Sequence, residues 1–249
     1  MAAASLTPAA SPPSAADYCL ADQWRMARAR RYFAWQARLV LPHLGRRVLE
    51  VGCGVGNFSV HLRSREAVLA VDREPDCLSA WRLRLGANGH MRAAPADLAD
   101  DSFLALAAWR PDSCVCLNVL EHLGDDRAAL ARLAAVVAPG GCIVLIVPAI
   151  PALFGPVDRA LGHQRRYRRA RLAALAAAVG LRPRLLRYWN CAGLAVWWTN
   201  ARLLRREAQS PVQIAIFDRF IVPVLVRLEA WAPPPVGQSL LAVLEKPAL

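Results

Sequence analysis

The chain has 249 residues, with 31 basic against 19 acidic side chains for a formal charge of +12, and 56% of it is hydrophobic. Much of that apolar share is alanine, and no run of about eighteen uncharged apolar residues occurs, which excludes a membrane-spanning helix. The length lies at the upper end for a single α/β domain with a sizeable core. Seven cysteines, Cys19, Cys53, Cys77, Cys114, Cys116, Cys142 and Cys191, form no C-x-x-C pair. They read as small core hydrophobes in a reducing compartment, so a cytoplasmic location is expected.

In chain order, residues 1–16 are dominated by Ala, Pro and Ser without a basic n-region, and read as a disordered leader rather than a secretory signal. Tyr18 to Leu41 carries Trp24, Tyr32, Phe33 and Trp35 among arginines, and predicts a helix over the mouth of a site, within a cap segment 17–43. Val48, Leu49 and Val51 then form a buried parallel strand that carries Glu50. Gly52, Gly54 and Gly56 follow, removing each Cβ where the backbone turns and approaches a ligand. A helix expected near Asn57 offers unpaired N–H groups to an anion. Twenty residues after Gly52, Asp72 ends a second strand, Ala67–Val71, where an acid can grip a ribose diol. A dinucleotide site would prefer a third glycine at position 57, where this chain has Asn57.

A short strand near His90–Ala93 leads into Ala94-Pro-Ala-Asp-Leu98, and Ser113–Asn118 reads as a buried strand running into Val-Leu-Glu-His122. Val137-Ala-Pro-Gly-Gly141 turns into a fifth strand, Cys142–Val147. The G-x-G-x-G spacing after Glu50, the Asn-Val-Leu-Glu-His stretch and this last turn, in that order over residues 44–150, resemble the class I S-adenosylmethionine (SAM) methyltransferases. The resemblance implies an α/β, Rossmann-like fold with a seven-stranded, mostly parallel sheet. It implies SAM as cofactor and S-adenosylhomocysteine (SAH) as product, held by Glu50, Gly52, Cys53, Gly54, Gly56, Asn57, Asp72, Arg73, Asp97, Leu98 and Asn118. Asp97 would accept from the adenine amine, or cap a loop.

Beyond Pro148, segment 148–168 carries Asp158 and Gly162-His-Gln-Arg-Arg-Tyr167, and resembles the lid loop of a bacterial subset of that family. Leu172, Leu175, Ala176 and Val179 repeat at helical spacing, and Gly180 ends that helix. Arg168 stands where related sequences often cap it with Ser or Thr. Strands six and seven are expected at Leu181–Tyr188 and Gln238–Glu245, the last antiparallel. Between them, 191–235 is an insertion with amphipathic helices at 194–204 and 214–231, the second kinked at Pro223, read as a helical cap over the acceptor. Its aromatics, with Trp189, pack the core or form an apolar acceptor wall or a membrane-facing surface.

Twelve arginines and no acid lie between Asp158 and Glu207, and seven more between Asp22 and Glu50. Such segments imply an anionic acceptor, a membrane surface or a nucleic acid. Nucleic acid is disfavoured, because the Asn/Asp-Pro-Pro-aromatic and Pro-Cys motifs of base methylation are missing. Methyl transfer needs an aligned acceptor and, for a hydroxyl, one proton removed. His163 is the preferred base or orienting group, with Tyr167 beside it and His122 its competitor. Arg165, Arg166 and Trp197 are the candidates for binding the acceptor. No metal is expected, since Asn118 replaces the first carboxylate of the Glu-x-x-Glu-His pattern that binds a cation in some relatives. The reading is a methyltransferase acting on oxygen of a small or lipid-linked acceptor, in secondary metabolism or envelope assembly. N-methylation and an idle SAM-binding partner are the alternatives, with peripheral membrane contact open.

Overall fold

A computed structural model of the chain describes residues 15–86, 89–204, 208 and 210–248. Residues 1–14 of the expected leader, together with Arg205 and Arg206, lie outside the described residues, and Ala15 and Ala16 already belong to the first helix.

Seven strands form one sheet: β1 (Arg47–Val51), β2 (Ala67–Asp72), β3 (Met91–Pro95), β4 (Ser113–Leu117), β5 (Cys142–Pro148), β6 (Arg182–Trp189) and β7 (Ser239–Glu245). Their order is β3-β2-β1-β4-β5-β7-β6. β7 alone runs antiparallel, to both of its neighbours. The chain moves outward one way from β1 to β3 and the other way from β4, so the β1/β4 border is the switch point. Beyond the carboxyl ends of those strands an open α/β sheet leaves a crevice.

Alternation along the strands feeds two apolar layers. In β4, Cys114 and Cys116 enter the layer of Phe103, Leu130, Leu133 and Leu172, while Val115 enters that of Leu62, Trp81 and Trp189. All seven cysteines are free, and four of them are buried, as expected of small apolar side chains.

The structure alters four local expectations. The N-terminal segment is two helices, α1 (Ala15–Met26) and α2 (Arg30–Val40), because the chain bends at buried Ala29 to let α2 pack on the sheet. After the glycine loop comes a 3₁₀ turn, Ser59–Leu62, instead of an α-helix, with the His61 N–H bonded to the Phe58 carbonyl. The helix expected at 214–231 is not one regular α-helix. The chain runs from α8 (Pro211–Ile216) through a π-helical turn, Phe217–Ile221, into α9 (Val222–Trp231), with Pro223 as the second residue of α9. Finally, the insertion is not a cap throughout its length. Its first helix (Cys191–Trp198) reaches the crevice, whereas α9 and the π turn pack on α2.

The remaining helices in chain order are α3 (Pro75–Leu85), α4 (Asp126–Val136), α5 (Pro156–Ala160) and α6 (Arg169–Ala178), and the Cys191–Trp198 helix is α7. Trp189 at the end of β6 is fully buried, stacked on Tyr32 with centroids 5.4 Å apart and edge-on to Trp35 at 4.8 Å. It therefore ties α2 to the sheet. Trp189→Ala is expected to lower the unfolding free energy by about 3–5 kcal/mol in a urea titration. A loss below about 1 kcal/mol would mean that α2 docks without it.

Candidate active site

The glycine loop leaves β1 with Gly52, Gly54 and Gly56 at φ of 72°, 51° and 80°, a region that favours glycine. Space forbids side chains as well. A Cβ on Gly54 would lie 1.8 Å from the Gln23 Oε1, and one on Gly52 would lie 2.2 Å from the Val119 side chain. Gln23 of α1 thus lies directly on the loop, its Oε1 accepting from the Val55 N–H at 3.0 Å and its carbonyl from the Asn57 amide at 2.8 Å. Nothing in the local sequence marks this glutamine, which lies 32 residues before the Val55 N–H that it accepts from.

Asp72 holds the loop from the other side. One of its oxygens accepts from the Gly54 N–H at 2.8 Å and the other from the Glu74 N–H at 3.0 Å, leaving further lone pairs for a ligand. Glu50 is buried and accepts from the Ser59 hydroxyl at 2.6 Å, while Ser59 accepts from the Trp81 indole at 2.8 Å. Burial pushes the Glu50 carboxyl up to about 8, and raises Asp72 as well.

Gln23, Glu50 and Asp72 line a cavity of ≈ 640 Å³ at the switch point. Gly52, Cys53, Asn57, Arg73, Asp97, Leu98 and Asn118 line it too, with Tyr32 and Phe33 of α2. Gly54 and Gly56 shape the turn without lining the cavity. Asp97 caps its own loop, accepting from the Ala99 N–H at 2.8 Å. SAM fits this donor set. Its sulfonium, ammonium, ribose hydroxyls and adenine amine are cations or donors for buried carboxylates. A dinucleotide would instead need its pyrophosphate met by the N–H groups of a helix N-terminus or by cations; here a 3₁₀ turn follows the loop, and the two lining arginines are engaged, Arg73 with Glu74 and Arg166 with Asp158.

The lid segment centres on Asp158, which is fully buried. Its oxygens accept from His163 Nδ1 at 2.9 Å, Arg166 Nε at 2.9 Å and the Gly155 N–H at 2.9 Å. Burial alone would raise this carboxyl, but the bonds from His163 and Arg166 hold it below the usual range. An ionised carboxylate only accepts, so His163 carries its proton on Nδ1 and turns Nε2 toward Glu121, 3.9 Å away. Both Glu121 oxygens are buried without a hydrogen-bond partner, and burial pushes its carboxyl up to about 7. His122 stands edge-on to His163 with centroids 4.7 Å apart. Burial, then the charges of His163 and Arg73, lowers it to about 4.

His163, His122, Arg166 and Trp197 all meet the cavity, and Tyr167 and Arg165 do not. Tyr167 is a pin instead of a catalyst. Its main chain bridges to Ala149 beside β5 and its ring is fully buried, with the hydroxyl against the Leu120 carbonyl and Asp126. Arg165 donates to the Leu123 and Gly124 carbonyls at 2.8 Å each. Arg166 donates to the Ala149 carbonyl at 3.1 Å as well as to Asp158, and packs over Trp197. Both arginines meet an internal anion or carbonyl before any acceptor could.

Ligand atoms of Glu121, His122 and His163 lie within 4.8 Å of one another. Two imidazoles and one carboxylate suit a transition-metal ion better than a hard cation.

A family model described as a methyltransferase domain matches residues 24–203. The chain belongs to that family, the SAM-dependent methyltransferases, and its sheet is the class I fold. Ubiquinone biosynthesis O-methyltransferase of Xanthomonas campestris pv. campestris is 34% identical over 113 residues, covering 44% of this chain and 45% of that protein. Its namesake in Leptothrix cholodnii is 30% identical over 102 residues, covering 41% and 43%. The chain thus matches under half the length of these relatives. Among solved structures, the N-methyltransferase NodS from Bradyrhizobium japonicum, in complex with SAH, superposes with a TM-score of 0.59 at 19% identity, covering 91% of this chain and 92% of that one. A SAM-dependent methyltransferase from Archaeoglobus fulgidus gives 0.58 at 18%, covering 87% and 94%.

The buried carboxylates predict a pH dependence. Glu50 and Glu121 keep their protons in the fold up to about 8 and about 7, whereas an unfolded glutamate loses its proton near 4.5. Their contribution is therefore full below about 4.5 and is lost as pH rises through the folded values. His122 acts oppositely, but only between about 4 and its unperturbed 6.5. The melting temperature of the ligand-free protein should fall from pH 6.5 to 8, with a shallower fall in Glu50→Gln. A melting temperature that rises over this range would contradict the assignment.

Proposed function

We propose that this chain transfers the methyl group of SAM to an oxygen of a small-molecule or lipid-linked acceptor, with His163 as the general base, and that it works in the cytoplasm or at the membrane periphery. The observation that carries the reading is His163 on the wall of the cofactor cavity, held by the buried Asp158 behind it. SAM supplies an electrophilic methyl carbon. The chain's own work is to place the acceptor behind that carbon and to take one proton.

Asp158 fixes the His163 ring through Nδ1 and leaves the Nε2 lone pair, 3.9 Å from Glu121, as the acceptor for a hydroxyl proton that arrives from the cavity side. As the new carbon–oxygen bond forms and the carbon–sulfur bond breaks, the hydroxyl proton moves to Nε2. Asp158 and Glu121 then flank the imidazolium and offset its charge. His122 is a poor alternative, because a base lowered to about 4 takes a proton weakly at neutral pH. Tyr32, Phe33 and Trp197 give the acceptor an apolar wall. The relatives named for O-methylation support oxygen as the acceptor atom.

His163→Ala should lower kcat by about 10²–10⁴-fold with little change in SAM affinity, read by methyl incorporation alongside calorimetry. His122→Ala should lose much less. Full activity in His163→Ala would remove it as the base. A second reading rests on Glu121, His122 and His163 as ligands for a divalent ion. Dialysis against a chelator tells the two apart: the base reading expects activity to survive. Loss restored by added zinc or manganese would replace it with a metal-assisted one.

SAM binding has its own test. Asp72→Ala should weaken SAM and SAH by roughly 1–3 kcal/mol, the range for buried polar groups left unpaired, with no binding of NAD or NADP by the wild type. Full SAM affinity in Asp72→Ala would refute the role given to that carboxylate.

A further inference from the structure

The continuous helical run α8, π turn and α9, Pro211 to Trp231, carries two opposite stripes. Ile214, Asp218, Val222, Leu225 and Glu229 are buried. Out of step with these, at every fourth position along the run, lie Val212, Ile216, Phe220, Val224 and Leu228. These five are exposed, with Trp231 beyond them 89% exposed. The outer face is therefore an apolar band about 30 Å long at 1.5 Å per residue. Soluble surfaces rarely leave such a band open unless something covers it.

Charge identifies what covers it. The run contains two acids, and both are turned inward and engaged: Asp218 accepts from the Tyr32 N–H at 2.8 Å, and Glu229 from the N–H groups of Asn190 and Cys191 at 3.0 and 2.9 Å. Its two arginines, Arg219 and Arg227, are exposed. So are Arg30, Arg31 and Arg38 on α2, the helix against which it packs. An apolar band with cations beside it and no outward acid complements an anionic bilayer. A second copy of the same face would set arginine against arginine. No helix among the described residues is long and apolar enough to cross a membrane, and here the opposite stripe is already buried in the protein.

We propose that α8–α9 is an interfacial anchor that lies along the surface of an anionic membrane, Phe220 and Trp231 seated among the acyl chains and Arg219 and Arg227 at the headgroups. The anchor is one helix away from the cavity, since α2 carries both the anchor on its outer side and Tyr32 and Phe33 on the cavity wall. This deepens the lipid-linked version of the proposed function, and vesicle binding is read separately from methyl transfer.

The test uses the full chain in flotation with phosphatidylcholine vesicles, with and without phosphatidylglycerol. Binding is expected only with phosphatidylglycerol and should weaken as salt rises, because exposed charges are screened over about 10 Å at 0.1 M. The double variant Phe220→Ser, Trp231→Ser should bind at least ten-fold more weakly while keeping its melting temperature, and Arg219→Glu with Arg227→Glu should abolish binding. Methyl transfer to a water-soluble acceptor should survive in both, so a failure of the anchor is distinguishable from a failure of the methyltransferase reading. Three results would overturn the proposal: no binding to anionic vesicles, equal binding to neutral ones, or a wild-type dimer that Phe220→Ser, Trp231→Ser converts to monomer, which would assign the band to a second copy.

Discussion

The site depends on one buried carboxylate. Asp158 sits where no water can solvate it, and an ion so placed persists only if its oxygens are filled by donors. Three donors from the same short segment fill them: the His163 ring, the Arg166 guanidinium and the Gly155 N–H. Satisfying one charge thus folds residues 155–166 into a single shape. Arg166 then reaches the Ala149 carbonyl at the end of β5, which transmits that shape to the sheet. His163 acquires its tautomer and direction from the same bond, so the group that faces the cavity is set by a residue that does not line it.

The cavity carries the complementary constraint. Glu50, Asp72, Glu121 and Asp22 are all buried beside it, and burial raises every one of these carboxyls. Without a cation such a cluster favours the protonated forms, since like charges in low dielectric repel strongly. A ligand bearing a sulfonium and an ammonium would let at least part of the cluster ionise. Cofactor selectivity is then electrostatic as much as steric, in a chain whose net charge is +12.

Local features were legible in the sequence because short-range chemistry encodes them. The glycine loop with Glu50, the acid at the end of β2 and the positions of the first five strands follow from spacing within a few residues, whereas the antiparallel final strand comes from the family resemblance, and the structure bears all of these out. The pair Asp158 and His163 lies in one segment for the same reason. What could not be read was which partner a side chain would find across the fold. Gln23 over Gly54 joins residues 31 apart, and no pattern around Gln23 announces it. Arg165 and Arg166 looked like acceptor-binding cations because a count of arginines says nothing about the carbonyls and carboxylate waiting for them. Tyr167 looked catalytic from its motif, yet its bridge to Ala149 turns the ring under the sheet, where Asp126 holds the hydroxyl.

The arginine content has a structural explanation that bears on function. In a chain with a single lysine, guanidinium groups bind loop carbonyls over long distances in sequence. Arg65 bonds the Leu41, Leu44 and Gly45 carbonyls, Arg47 that of Trp109, and Arg202 that of Ala152. A planar fork with five donors can do this at several carbonyls at once, where an ammonium offers a point charge. Much of the basic character is therefore consumed in holding connections between sheet and helices. The positive charge of 159–206 is accordingly a weak guide to an anionic acceptor. The outer face of α8–α9, where the acids turn inward and the arginines outward, is where basic residues remain at the surface beside an apolar band, and that contrast, more than net charge, is what distinguishes a binding surface from a scaffold.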